Sequence, residues 1–167
     1  MSLALMVMTA VFSSYLFLGR NLARLANQQT LQAQGQRALA YFAQDVRMAS
    51  SLTSPSASSM TLTLPTTTVA YTYASSAGTL TRTPASGTAL VLASNLQSFY
   101  FRYHDDTGSP YDNGSSPYTT QTDYLTGIKQ VSMSFSSRIG SSSNGTLTPV
   151  YQAASPRLII RNRQLLP

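Results

Sequence analysis

The pattern of hydrophobic and polar residues changes along the first fifty residues, but no helix-breaking proline interrupts it. Residues 1–18, MSLALMVMTAVFSSYLFL, are apolar on almost every helical face, whereas residues 27–37, NQQTLQAQGQR, are polar on almost every face. The first proline, the strongest helix breaker, is Pro55. The pattern therefore predicts one long helix over residues 1–50, whose two halves meet different surroundings.

The end of this predicted helix is amphipathic. In residues 38–49, ALAYFAQDVRMA, the side chains of Leu39, Phe42 and Val46 recur at i, i+3 and i+7, which places them on one helical face. Such a stripe is typical of core packing. We therefore expect these three residues to hold the helix against a sheet.

From Met60 onward the hydrophobic period falls to two. Runs such as MTLTLP, TVAYTY, GTLTRT and LQSFYFRYH alternate, or are rich in β-branched and aromatic residues, and turn residues separate them. This pattern favours an antiparallel, mostly meandering sheet. Residues 50–59 are predicted as a linker and residues 104–127 as a long loop. The predicted fold class is α+β, a long N-terminal helix packed on an antiparallel β-sheet.

The apolar start has three interpretations. A secretory signal needs a basic segment before the apolar run and a small-x-small cleavage site after it, and neither occurs here. A core helix that is apolar on every face needs a larger domain around it, whereas a membrane span needs about 20 apolar residues. We therefore predict a membrane or filament-core helix over residues 1–24, followed by an amphipathic helix (25–50) and a β domain (51–167). Its apolar surface is assigned to Leu3, Leu5, Met6, Val7, Val11, Phe12, Leu16 and Phe17.

The charges beside this span give conflicting indications of orientation. Arg20 and Arg24 follow the apolar run, and the positive-inside rule would keep that end in the cytoplasm. The Ser-, Thr- and Tyr-rich β domain is instead typical of an exported protein. Stronger positive charge upstream of Met1 would remove the conflict. We expect both arginines to be solvated at the interface, with acids of headgroups or of other subunits as the alternative.

Composition narrows the classes of function. Apolar residues make up 43% of the 167 residues, as in a folded protein, but charged residues make up only 10%, well below the usual quarter. The net charge is +6, yet most basic residues are scattered singly, and nucleic-acid binding needs them on one face. No direct nucleic-acid partner is therefore expected.

The sequence offers little for catalysis or metal binding. It has one histidine, His104, no cysteine and no glutamate, so catalytic triads, histidine-based metal sites and glycosidase carboxylate pairs lack their residues. We expect neither an enzyme nor a cofactor. The candidate for a Ca²⁺ site is the group Asp105, Asp106, Asp112 and Asn113, whose oxygen ligands suit that ion. Their spacing does not match an EF-hand, and the same residue types are typical of turns, which we prefer.

Four stretches together resemble one branch of the type IV pilin-like proteins, the W-type minor pilins and J-type minor pseudopilins. QRALAYFAQDVRMAS (residues 36–50) is similar to the helix segment of that branch, and VAYTYASSAGTLTRT (69–83) is similar to its hairpin. LQSFYFRYHDD (96–106) resembles its following strand, and residues 128–135 with LIIRNR (158–163) resemble its final strands. Their order and spacing extend the resemblance over nearly the whole chain.

The resemblance implies a non-catalytic structural subunit of a type IV pilus or a type II secretion pseudopilus, in a tip or initiation complex. It implies a single-pass protein of the bacterial inner membrane with a periplasmic domain, which later joins a periplasmic or extracellular filament. The implied partners are the lipid bilayer, the assembly platform of the inner membrane, and other minor and major subunits. The prepilin start of the family, a leader followed by Phe-Thr-Leu-x-Glu, does not occur. Three explanations stay open: the gene start is placed too late, the sequence was trimmed, or this copy is degenerate. In the first two, the first helical turns of the family would precede Met1.

Two other functions fit the same sequence. One is a single-span periplasmic binding or scaffold protein unrelated to filaments. The other is an adhesin-like surface domain that binds glycans or surfaces through the Tyr-rich loop 104–127. If the filament interpretation holds, the sequence leaves open whether the filament is a pilus, a secretion pseudopilus or a DNA-uptake fibre.

Overall fold

The structure, a computed structural model, describes residues 2–111, 127–139 and 150–160. A single helix, α1 (Ser2–Met48), begins the chain and is followed by antiparallel strands. The α+β class that the sequence predicts is therefore confirmed. Neither Gly19 nor Gly35 interrupts α1, so the predicted continuity of the helix is also present.

The first five strands form one antiparallel meander in sequence order. The connection between the third and fourth strands depends on Gly78, whose φ of +59° lies in the left-handed region. A Cβ atom at this position would lie 2.9 Å from the backbone oxygen of Leu96, so glycine is needed for space as well. The strands are β1 (Ser51–Thr53), β2 (Ser59–Thr63), β3 (Thr68–Ala74), β4 (Thr79–Pro84) and β5 (Leu90–Ala93).

The remaining strands form a second antiparallel sheet. They are β6 (Leu96–His104), β7 (Pro110–Tyr111), β8 (Gln130–Arg138), β9 (Val150–Ala154) and β10 (Leu158–Ile159). In this sheet β6 pairs with β7 on one side and with β8 on the other. β9 and β10 both pair with β8, along successive parts of its length.

The core lies where the second half of α1 covers both sheets. The strands alternate between buried and less buried positions, as the period of two predicts; β8 alternates over its whole length. Aromatic rings join the two sheets, since Tyr73 of β3 stacks on Phe99 of β6 with ring centroids 5.1 Å apart. The amide of Phe101 also donates a hydrogen bond to the carbonyl of Ala57, at 2.9 Å.

Three details differ from the sequence-based prediction. The structure has two sheets rather than one, because β6 pairs with β8 across the intervening chain instead of continuing the meander. The predicted linker 50–59 contains strand β1, which forms because Leu52 is buried in the core. The predicted loop 104–127 starts later, since His104 belongs to β6 and Pro110–Tyr111 form β7.

Candidate membrane-anchoring and assembly surface

The first half of α1 exposes its large apolar side chains without any cover from the domain. One helix, from Ala4 to Met48, contains a window that is long and apolar enough to cross a membrane, and none of that window is buried. Leu3 lies in the helix, with its side chain outside the described part of the structure. The other seven assigned side chains are between 48% and 77% exposed: Leu5, Met6, Val7, Val11, Phe12, Leu16 and Phe17.

Two hydroxyl side chains in this segment are satisfied within the helix itself. The hydroxyl of Thr9 donates to the carbonyl oxygen of Leu5 at 2.7 Å, and that of Ser14 donates to the carbonyl of Ala10 at 2.9 Å. Such back-bonding removes the need for water, and unsatisfied polar groups are what hydrocarbon penalises most. These two polar side chains are therefore compatible with a lipid or helix-bundle environment.

The length of the uncharged segment matches a bilayer. Residues 2–19 extend for about 27 Å at 1.5 Å per residue, close to the roughly 30 Å of hydrocarbon in a membrane. Arg20 and Arg24, the first charged residues, follow directly and are both exposed. A shallow groove of about 410 Å³ runs along this segment, between the small side chains Ala10 and Ser14 and their larger neighbours.

The second half of α1 docks on the sheets through one stripe. Phe42 and Val46 are fully buried, whereas Leu39 is only partly buried and packs against the edge of the core. The stripe is centred on Phe42, and Leu39, three positions earlier, lies about 60° to one side of it at 100° per residue. Its buried members at helical spacing are Leu31, Gly35, Ala38, Phe42, Asp45, Val46 and Ala49.

Phe42 is the aromatic centre of this docking stripe. Its ring meets that of Tyr71 edge-on at a centroid distance of 6.0 Å and stacks with Phe101 at 5.9 Å. Tyr71 belongs to the first sheet and Phe101 to the second. A single side chain of α1 therefore contacts both sheets, which makes the position of the helix depend on the whole domain.

Gly35 allows β9 to approach the helix. A Cβ atom at this position would overlap the ring of Tyr151 in β9. A Cβ atom added at Gly19, in the exposed half, would have no other atom within 4 Å. The two glycines of α1 therefore have different surroundings, a close contact at Gly35 and open space at Gly19.

A buried polar cluster, which sequence reasoning missed, joins α1 to the first sheet. Asp45 is 2% exposed and accepts a hydrogen bond from the Tyr71 hydroxyl at 2.5 Å. Arg82 of β4 donates two further hydrogen bonds, from Nε at 2.7 Å and from Nη2 at 3.0 Å, one to each carboxylate oxygen. The bidentate geometry satisfies both oxygens, so the buried charge is paired and hydrogen-bonded.

The environment of this cluster raises the pKa of two of its members, Tyr71 and Arg82. Burial, followed by the hydrogen bond to Asp45, raises the pKa of Tyr71 well above its usual range. The hydrogen bond to Asp45 raises the pKa of Arg82 despite partial burial. The guanidinium of Arg82 also lies 5.4 Å from the centroid of the Tyr41 ring, a cation–π distance. Near pH 7 the Tyr71 hydroxyl therefore stays neutral and the Arg82 guanidinium stays charged, so their hydrogen bonds to Asp45 hold α1 to the first sheet as a clamp.

Only two of the four residues proposed for a Ca²⁺ site, Asp105 and Asp106, belong to the described part of the structure. A carboxylate oxygen of Asp105 accepts hydrogen bonds from the Thr107 hydroxyl and the Ser109 amide, both at 2.7 Å, which is an aspartate turn. The hydrogen bond from Thr107 is the main reason why the pKa of Asp105 is lowered. Asp106 is exposed, and Asp112 and Asn113 lie outside the described residues. In the described part of the chain, no group of three or more His, Asp or Glu residues is arranged to hold a metal.

His104 ends strand β6 and is 5% exposed. Its Nδ1 is buried and has no hydrogen-bond partner within the described ranges. Burial, reinforced by the positive charges of Arg157 and Arg102 and opposed by Asp105, lowers the pKa of His104 from its ordinary value of 6.5. The imidazole is therefore neutral near pH 7 and is packed as part of the domain.

A shallow pocket of about 220 Å³ lies on the outer face of the second sheet. Tyr100 lies at one side of the pocket and is 38% exposed. The Arg102 guanidinium lies 4.9 Å from the centroid of its ring. The hydroxyls of Ser98 and Ser136 share a hydrogen bond of 2.7 Å across the strands. The pocket is lined by Ser98, Tyr100, Ser134, Phe135, Ser136, Gln152 and Ala153.

Comparison with known proteins adds no family to this description: no protein-family model and no curated protein matches the chain. The fold and its exposed surface define the class, an α+β protein with one N-terminal helix that is long and apolar enough to cross a membrane. Any finer assignment depends on what the exposed half of α1 contacts.

Proposed function

We propose that this protein is a minor pilin or pseudopilin, a non-catalytic subunit of a type IV pilus or type II secretion pseudopilus. The observation that carries the proposal is the continuity of α1. One helix passes from an uncovered apolar segment into a stripe, centred on Phe42, that is clamped to two antiparallel sheets. The resemblance of residues 36–50 and of the following strands to minor pilins supports the same assignment.

The proposed mechanism is packing rather than chemistry. Before assembly, residues 2–19 lie in the inner membrane, where lipid covers side chains that the domain leaves exposed. During assembly, the same segment leaves the lipid and packs against the helices of neighbouring subunits. The groove between Ala10 and Ser14 supports close helix–helix contact, because small residues let helix backbones approach.

The proposed location and partners follow from this mechanism. The β domain lies in the periplasm, and the protein then joins the tip or initiation complex of a periplasmic or extracellular filament. Its partners are other minor and major subunits and the assembly platform of the inner membrane. The docking of α1 through Phe42 and Asp45 keeps the domain at a fixed place along the helix, so that filament packing sets the position of the domain.

Site-specific crosslinking tests the proposal, since the chain contains no cysteine. A Val11→Cys variant, expressed in the source bacterium, is expected to form disulfide-linked adducts with other pilin-like subunits carrying a cysteine in the same helix segment. The adducts should be found in the sheared filament fraction and should be lost when the assembly platform is deleted.

The matched control is Val91→Cys, which places a cysteine at another exposed position (52%) on β5, away from the apolar segment. This variant should form no disulfide-linked adduct with a cysteine in the apolar helix segment of another subunit. If the protein inserts into the membrane and its adducts are unchanged when the assembly platform is deleted, the filament role is contradicted. Residues 2–19 would then serve as a membrane anchor only.

A single-span, membrane-anchored binding or adhesin domain is the second candidate, and the pocket on the outer sheet face favours it. Tyr100 provides an aromatic surface beside the Ser134 hydroxyl and the Gln152 amide, groups suited to a hydroxylated ligand such as a glycan. In this case Tyr100→Ala should abolish retention on a glycan array, while adducts from Val11→Cys should not form.

A further inference from the structure

We propose that Arg20 and Arg24 form a binding site for the phosphate groups of anionic lipids. This inference rests on the proposed membrane anchoring of α1. The two residues are four positions apart, so their guanidinium groups lie on the same helical face, and both are exposed. They follow an uncharged segment whose length of about 27 Å puts them at the depth of the headgroups.

The helical face that carries these arginines also points toward the globular domain. Arg24 precedes the buried Leu31 by seven positions and Arg20 precedes it by eleven. Both separations return to within about 20° of the same direction at 100° per residue. The two arginines thus continue the direction of the docking stripe toward the membrane, where the headgroup of a lipid in the bilayer surface can reach them.

The end of the domain nearest these arginines carries a further positive charge. Ser94, in the turn between β5 and β6, donates hydrogen bonds to the Gln34 side chain from its amide and its hydroxyl. Arg138 lies at the same turn, because its amide donates to the carbonyl of Asn95 at 2.9 Å. Gln34 lies 10 positions, or about 15 Å, from Arg24 along the helix, and the Nε of Arg138 is buried. Arg138 therefore adds positive charge to the nearest end of the domain without contacting the two helix arginines.

Acidic groups are located elsewhere among the described residues. Asp45 is buried and paired with Arg82. Asp105 and Asp106 follow β6 at its far end, opposite to the end at which Leu96 lies beside the turn. Accordingly, no described acid is an ion-pair partner of Arg20 or Arg24. The charge asymmetry favours an anionic partner supplied from outside the chain.

A lipid fits better than the carboxylates of a second copy of this chain. The sequence has only five acidic residues, all aspartate, and the described ones are either buried or at the far end of the domain. The phosphate groups of anionic lipids would instead lie at the depth of the arginines, and a basic residue near an anionic membrane surface gains about 1 kcal/mol of attraction. Guanidinium groups also match the geometry of phosphate oxygens.

The test is a partition experiment with the full chain. Detergent-solubilised protein is mixed with equal amounts of phosphatidylcholine vesicles and of vesicles containing phosphatidylglycerol, each with its own dye, and the detergent is removed. The wild-type protein should be enriched in the anionic vesicles, by about five-fold for each arginine, which corresponds to about 1 kcal/mol each. Added salt should reduce this enrichment.

The double variant Arg20→Gln/Arg24→Gln should lose most of the enrichment. Arg20→Lys/Arg24→Lys should keep the part that depends on charge alone and lose the part that depends on guanidinium geometry. The matched control is Arg47→Gln, which removes an exposed arginine of the same helix about 35 Å further from the membrane and should leave the enrichment unchanged.

The failures of the two proposals are distinguishable. Insertion into both vesicle types without preference, or a preference that survives in the glutamine variant, overturns the lipid site but not the anchor. A protein that inserts into neither vesicle overturns the proposed anchoring. If the glutamine variant keeps its lipid preference and loses crosslinking to other subunits, the arginines bind subunit acids, and the lipid site is wrong.

Discussion

The two halves of α1 belong to one uninterrupted helix and have opposite surroundings. Around Phe12 the large apolar side chains are exposed, whereas Phe42 is in contact with both sheets and has no exposed surface. The difference does not come from hydrophobicity, since the exposed half is the more apolar one. It comes from pattern: a single stripe gives a domain one face to cover, while a helix that is apolar all round must be covered by lipid or by other helices.

The largest effect is expected from truncating the docked phenylalanine. Phe42→Ala removes a fully buried ring and should lower the free energy of unfolding by about 3–5 kcal/mol, because the cavity lies between two sheets and cannot easily close. Thermal unfolding of the full chain in mild detergent, followed by circular dichroism, measures the loss.

Phe12→Ala is the matched control for this variant, because it removes the same ring from a position that is 67% exposed. It should leave the thermal midpoint of the domain unchanged. Equal destabilisation by both substitutions would contradict the contrast between the two halves.

The next effect comes from the buried clamp between α1 and the first sheet. Asp45→Asn removes the charge that Arg82 and Tyr71 contact, and breaking a buried ion pair should cost about 3 kcal/mol, the lower part of the known range. The lower part applies because the Arg82 side chain is 18% exposed and can be rehydrated.

Asp106→Asn removes the same charge at an exposed position and should change the unfolding free energy by less than about 0.5 kcal/mol. Equal thermal unfolding midpoints for Asp45→Asn and Asp106→Asn would show that the buried cluster does not stabilise the domain.

The sequence predicted the features that depend on local pattern and missed those that depend on contacts between distant residues. The long helix and the alternating strands follow from periods of 3.6 and 2, which are visible in any short window. The split into two sheets depends on β6 pairing with β8, which no local pattern encodes. Asp45 was overlooked for the same reason, since its partners Tyr71 and Arg82 lie 26 and 37 positions away.

The two glycines of α1 allow a finer test. Gly35→Ala should improve helix propensity by about 1 kcal/mol, but the new methyl group would overlap the Tyr151 ring, and overpacking costs about 1–3 kcal/mol. We expect net destabilisation of about 1 kcal/mol and looser packing of β9, measurable as faster amide hydrogen exchange in Val150–Ala154.

Gly19→Ala meets no atom within 4 Å and should cause no loss of stability. Stabilisation by Gly35→Ala would show that the ring of Tyr151 does not limit the approach of β9 to the helix. Destabilisation by Gly19→Ala would show that the space around the two glycines does not explain their difference.

The smallest expected effect is a pH dependence of stability. It arises in the globular domain, which contains His104, and not in the exposed half of α1, since residues 2–25 contain no histidine or acid. Burial, with Arg157 and Arg102 nearby and Asp105 opposing, lowers the pKa of His104 in the folded state from 6.5. As pH falls below about 6.5, the unfolded chain binds the proton first, so stability should fall between pH 7.5 and 5.5. Urea unfolding at both pH values measures this decrease. In a His104→Gln variant the decrease should largely disappear, and an unchanged pH dependence in that variant would mean that another group is responsible.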